Sequence, residues 1–178
     1  LCTDEEAINQ LVTNKFFIPN VTPIQIFNRA TDPFLTNVKK HTHKVLKLLD
    51  DLGLNNLILV ITRAKVTKED IEQLEQLMNV RVSLLLTYSG ITNTSIEPIA
   101  KSGITIKSIE TISKHKKKTK LILYWRPIVV GWNDDEESFK RVLNIAKSTD
   151  AIVFTGYYHR PENFAYLKSM DITVSYGE

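Results

Sequence analysis

Apolar runs recur along this sequence at intervals of about 30 residues, the length of one β-α-β unit, with helix-patterned segments between most of them. The runs are 23–27 (PIQIF), 57–62 (LILVIT), 82–87 (VSLLLT), 121–130 (LILYWRPIVV) and 151–155 (AIVFT), with a short sixth candidate at Ile172-Thr173-Val174. Most are continuous rather than alternating, the pattern of strands covered on both faces of a parallel sheet. Between them, Val38, Val45, Leu49 and Leu52 share a side of a helix that Gly53 terminates. Ile71, Leu74 and Leu77 mark a second, opened by the box-like start Thr67-Lys68-Glu69-Asp70. Phe139, Val142, Leu143 and Ala146 mark a third, for which Asn133 is the expected cap with Glu136 three residues on. Ile106, Ile109 and Ile112 give a weaker fourth.

The expected architecture is therefore α/β with a parallel sheet, in one domain spanning residues 1–178, since no Gly/Ser-rich or Pro-rich linker interrupts the pattern. A chain of 178 residues holds one sizeable core, but a complete eightfold barrel takes about 250. Strand-helix repetition is common to an open doubly wound sheet and to an incomplete barrel. The 43% hydrophobic and 24% charged content excludes a disordered or fibrous chain. No apolar run approaches the roughly 20 residues of a spanning helix. The net charge of +3 is too mild to imply a nucleic-acid partner, and the lone Cys2 suggests a reducing, cytoplasmic compartment.

Parallel sheets bind ligands beyond the carboxyl ends of their strands, and polar residues cluster there. The strands run into Asn28-Arg29-Ala30-Thr31-Asp32, Thr62-Arg63, Thr87-Tyr88-Ser89-Gly90, Arg126-Pro127 and Gly156-Tyr157-Tyr158-His159-Arg160. Strands turn polar wherever they surface, but Arg, Asp, Thr and Ser on five successive ends favour a ligand site. G-x-G-x-x-G, G-x-x-x-x-G-K-[ST] and G-x-S-x-G are absent, which disfavours dinucleotide binding, P-loop hydrolysis and nucleophile-elbow chemistry. His41 and His43, two apart, do not share a helix face and read as a solvated pair rather than a metal site. The run His115–Lys120 reads as a helix C-terminus in preference to a phosphate-binding patch, and Asp134–Glu137 as the acidic first turn of a helix. Cys2, followed by Asp4, Glu5 and Glu6, has nothing nearby in sequence to lower its pKa and reads as an unpaired terminal thiol.

In order and spacing these pieces resemble the radical S-adenosylmethionine (SAM) enzymes, and within them the spore photoproduct lyase-like group. The residues that carry the resemblance are Pro23-Ile24-Gln25-Ile26, Thr31-Asp32-Pro33-Phe34-Leu35, Ile61-Thr62-Arg63, Leu86-Thr87-Tyr88-Ser89, Glu97-Pro98 and the stretch from Arg126 to Asp134. They cover the chain from about residue 23 to 157.

The resemblance implies a parallel sheet forming a partial (β/α)6 TIM-type barrel. It implies a [4Fe-4S] cluster held by a C-x-x-x-C-x-x-C loop, and SAM chelated to that cluster and reductively cleaved to a 5′-deoxyadenosyl radical for hydrogen abstraction. This sequence has neither that loop nor the family's first strand. The chain begins at Leu1 rather than Met and reads as starting downstream of the loop. Cluster ligands are expected upstream, so that the parent is an enzyme and this portion alone is inactive. The Arg common after Glu-Pro has no counterpart, with Lys107 and Ser108 nearby instead.

Toward SAM, the resemblance implies that Asn28, Thr31 and Asp32 meet the ammonium. Thr62 and Ser89 meet the ribose or the carboxylate, Arg126 pairs the carboxylate, and Val129, Gly131 and Tyr157 flank the adenine. Glu97 would orient its neighbours. Each residue also has a plainer reading: an Asp-Pro turn for Asp32, loop caps for Thr62 and Ser89, a structural ion pair for Arg126, core or turn positions for the last three. The substrate is not specified, with DNA suggested only by relatives. If no cysteines lie upstream, a non-catalytic binding or scaffold domain retaining the partial-barrel fold is the alternative. A third reading is a conventional (β/α) enzyme for a phosphorylated metabolite, suggested by Arg63, Arg126 and Arg160.

Overall fold

Five parallel strands pair in the order in which they occur along the chain: β1 (Ile24–Ile26), β2 (Leu57–Thr62), β3 (Arg81–Tyr88), β4 (Lys120–Ile128) and β5 (Ala151–Gly156). This computed structural model describes residues 2–27, 31–91, 93, 95–97, 102–158 and 160–174. Helix α1 (Asp4–Val12) precedes the sheet, and α2 (Lys39–Asp51), α3 (Lys68–Gln76), α4 (Ser102–His115) and α5 (Glu136–Ala146) each connect one strand to the next, with α6 (Pro161–Ser169) last. Among the described residues no sixth strand forms. Ile172 and Val174 instead join a small cluster with Val129, Leu167, Trp132 and Tyr157.

Successive residues of a strand face opposite sides of the sheet, and the two sides differ here. Ile58, Val60, Leu84, Leu86, Leu121 and Leu123 pack in one cluster with Leu46 and Leu49 of α2, Ile71 and Leu74 of α3, Ile109 and Ile112 of α4, and Val142 of α5. The connecting helices thus share one side of the sheet. On this tightly packed side, removing a side chain such as Leu49 or Ile112 should cost about 2–5 kcal/mol.

Leu59, Ile61, Leu85, Ile122, Tyr124 and Val153 belong to the other side, and none is part of that cluster. Burial along β2 accordingly alternates between half-buried and buried. The continuous apolar runs predict strands covered on both faces. Only the central strand β3, buried from Val82 to Tyr88, meets that expectation throughout.

The local signals act largely as expected. Thr67 caps α3 in a reciprocal box with Asp70, and Gly53 ends α2 at φ +69°, a conformation that a Cβ would disfavour. An unanticipated helix, α1, opens with an equivalent box between Thr3 and Glu6. His41 and His43 do face different neighbours, but only His41 is exposed. His41 pairs with Asp4 of α1 at 3.0 Å, whereas His43 is largely buried, 3.2 Å from Asp70 and edge-on to Phe34. Burial alone would raise the Asp70 pKa. Hydrogen bonds from His43, the Thr67 amide, Lys39 and the Thr67 hydroxyl outweigh it and hold the carboxyl well below the ordinary range. The lysine run is structural as well: α4 ends at His115, Lys116 pairs with Asp150 at 2.6 Å, and Glu75 accepts from the Lys118 and Thr119 amides.

Candidate functional site

At the carboxyl ends of the strands, side chains from several strands and from the start of α6 meet in two adjoining cavities. One, of about 440 Å³, is lined by Phe27, Asp32, Ile61, Thr62, Arg63, Thr87, Arg126 and Arg160. The other, of about 600 Å³, is lined by Arg63, Arg126, Pro127, Thr155, Gly156, Tyr157, Tyr158, Arg160 and Asn163. Volumes of this size suit a small ligand, and Arg63, Arg126 and Arg160 border both.

The strand period explains who arrives there. Arg126 lies two residues beyond Tyr124 on the same side of β4; its guanidinium lies 5.0 Å from the Tyr124 ring centre and donates to the phenol oxygen at 3.2 Å. Arg63 follows Ile61 in the same way, just past the end of β2.

Asp32 fastens the loop after β1 to the end of β2. One carboxylate oxygen accepts from the Thr62 hydroxyl at 2.5 Å and the Phe34 amide at 2.9 Å, and the other from the Arg63 amide at 2.7 Å. The Asp-Pro turn reading is therefore real. A carboxylate offers about four lone-pair directions, so one acceptor site remains beyond these three bonds. Thr62 also accepts from the Ala64 amide at 2.9 Å, capping its own loop while it lines the cavity.

Glu97 orients its neighbours. It accepts from Arg63 at 3.3 Å and from the Ser89 hydroxyl, while Ser89 accepts from the Ile91 amide at 3.1 Å. Ser89 is buried and lies in a narrow recess with Arg63, Thr87 and Glu97, behind the cavity wall.

The remaining expected residues separate. Tyr157 lines the larger cavity and its amide donates to the Ile128 carbonyl at 2.9 Å. Val129 is buried in the small cluster with Leu167 and Val174, a core position. Gly131, at φ +78°, forms a turn in which its amide donates to Asp134 at 2.8 Å. Thr31 is exposed, and Asn28 lies outside the described residues, as do Pro98 and His159.

Asn133 is the residue whose role the sequence obscured. The cap of α5 is Asp135, which accepts from the Ser138 amide and hydroxyl. Asn133 instead is 1% exposed and joins two strand ends. Its Nδ2 donates to the Ser89 carbonyl at 2.6 Å and the Pro127 carbonyl at 2.8 Å, and its Oδ1 accepts from the Val129 amide at 2.7 Å. A buried amide with these bonds locks the end of β3 to the turn after β4. The spacing of Asn133 to Glu136 pointed to the wrong residue: the helix begins two residues later, where Asp135 meets Ser138.

Chemically, the site supplies guanidinium donors, hydroxyls, one incompletely used carboxylate and an apolar floor of Ile61 and Phe27. It can grip an anionic group beside a polar, hydroxyl-bearing body. No known family model matches the chain, and no curated protein matches its sequence significantly.

Proposed function

We propose that this chain is the SAM-binding portion of a radical SAM enzyme built on a partial (β/α)6 barrel. The observation that carries the reading is the convergence of Asp32, Thr62 and Arg126 on one cavity at the carboxyl ends of sequentially ordered parallel strands. Helices on one side of a singly wound sheet suit a barrel wall, whose other side would become the interior.

The groups present fit the cofactor. The Arg126 guanidinium suits a carboxylate in bidentate contact, and the remaining acceptor site on Asp32 suits the ammonium. Tyr157, on the wall of the adjoining cavity, suits an adenine edge or face. SAM bound to a reduced cluster supplies the radical; these residues bind and orient it. A three-thiolate cluster does not fit on this chain, whose single thiol, Cys2, is exposed just ahead of α1. The reading therefore assigns this chain the SAM side of the site alone.

The test has two stages. Isothermal titration of the 178-residue chain with SAM should give saturable binding that Arg126→Gln weakens at least tenfold. The full gene product, reconstituted anaerobically and reduced with dithionite, should release 5′-deoxyadenosine. A loaded cluster with no 5′-deoxyadenosine defeats the proposal.

A further inference from the structure

The rim holds more positive charge than SAM neutralises. Of the guanidiniums around the two cavities, Arg63 is paired with Glu97 at 3.3 Å. Among the described residues Arg126 and Arg160 form no ion pair; they rest on tyrosine rings, Arg126 at 5.0 Å from Tyr124 and Arg160 at 5.7 Å from Tyr158. The other acid at the rim, Asp32, is already engaged by Thr62, Arg63 and Phe34. SAM carries one carboxylate against an ammonium and a sulfonium, so it brings a net positive charge into a site already rich in cations. Its carboxylate satisfies one guanidinium and leaves the other facing like charge.

The walls of the larger cavity favour an anion independently. Guanidinium forks match the tetrahedral oxygens of phosphate, and stacking on tyrosine preorganises them. Arg160 also precedes α6, whose N-terminus has no side-chain cap and whose first turn contributes Asn163 to the cavity wall. Uncapped amides and the positive dipole end there add to the pull on a negative group.

Resting on the SAM reading, we propose that the cavity of about 600 Å³ between Arg63, Arg126, Arg160 and the start of α6 holds the phosphate of a phosphomonoester substrate. Among the described residues Arg160 has no ion-pair partner and Arg126 has none but the SAM carboxylate it would share, so a phosphate dianion bridging the two supplies the missing negative charge.

Titration calorimetry of the chain with inorganic phosphate at low ionic strength tests this, with SAM titrated separately. Saturable phosphate binding is expected, weakened at least tenfold in Arg160→Gln and in Arg126→Gln. Both arginines are exposed, and circular dichroism verifies that the variants fold. Lys117→Gln, in the loop before β4, should bind phosphate as the parent does. Dimethyl phosphate, a monoanion, should bind at least tenfold more weakly than phosphate. Absence of saturable binding, binding that survives both arginine substitutions, or equal affinity for dimethyl phosphate overturns the proposal. The two readings separate cleanly. Phosphate binding without SAM binding removes the cofactor reading, SAM binding without phosphate binding removes the anion site, and Arg160→Gln should spare SAM.

Discussion

Replacing Asn133 with alanine should loosen the rim. Its side chain makes hydrogen bonds of 2.6, 2.8 and 2.7 Å to Ser89, Pro127 and Val129, the first and last buried and the second part-buried. At a net value of about 1 kcal/mol per bond, truncation should cost about 3 kcal/mol. Leaving the buried Val129 amide without an acceptor keeps that figure from shrinking. For a domain of this size each kcal/mol lowers Tm by about 2–4 °C, so a fall of about 6–12 °C is expected. Asn133→Asp is the sharper probe. It keeps the acceptor for Val129 but aims a carboxylate at two carbonyl oxygens, so at pH 7 it should cost more than alanine. Burial and those carbonyls would raise the folded pKa of the new acid. Its penalty is then present above that pKa and relieved as pH falls through it, where the protonated group donates one bond. Urea unfolding followed by tryptophan fluorescence, run from pH 7 to pH 4.5, measures both. An alanine cost below about 1 kcal/mol, or an aspartate as stable as the parent at pH 7, would refute the lock.

Other substitutions probe the frame beneath the rim. Burial tends to raise the pKa of Asp50, yet the amides of Met78, Asn79 and Val80 donate to it and hold the carboxyl below its ordinary range. Its contribution should be intact above the unfolded value of about 3.9 and lost as pH falls through the folded one. Asp50→Asn should cost about 2 kcal/mol at pH 7 and lessen the loss of stability as pH falls below about 4, as denaturant midpoints on acidification will report. Thr67→Ala removes the hydroxyl of the α3 box and should cost about 1 kcal/mol by the same measurement. A Cβ on Gly131 meets no atom within 4 Å, so Gly131→Ala tests backbone strain alone at φ +78°, and a loss of about 1–2 kcal/mol is expected.

The strands were legible because β2 to β5 are long, β-branched and regularly spaced, and the caps at Thr67 and Gly53 because each has a short-range mechanism. What stayed hidden was which side of the sheet a run faces. Neighbouring positions such as Ile58 and Leu59 differ only in what packs on them. LILVIT reads as evenly apolar, even though Ile58 is fully buried and Leu59 half-buried. Helix α1 escaped because its four buried or half-buried apolar residues lie among acids and amides, although Thr3 and Glu6 had the spacing of a box. At the site, Asp32, Thr62 and Arg126 were visible as strand-end residues. The partnership of Glu97 with both Arg63 and Ser89 spans 34 and 8 residues, and such pairings leave no periodic trace. Val129 and Gly131 each had a core or turn reading beside the adenine one, and their surroundings here are a small apolar cluster and a turn.

One further consequence lies at the margin of the sheet. Strand β5 hydrogen-bonds to β4, and among the described residues to no strand beyond it, while Val153 and Phe154 are 41% and 64% exposed. A ladder with idle amides and carbonyls between bare apolar side chains is adhesive toward any extended peptide. Purified alone and concentrated, the polypeptide should self-associate through this border, and added salt should not disperse the aggregates. A charged residue substituted for Phe154 would keep it monomeric.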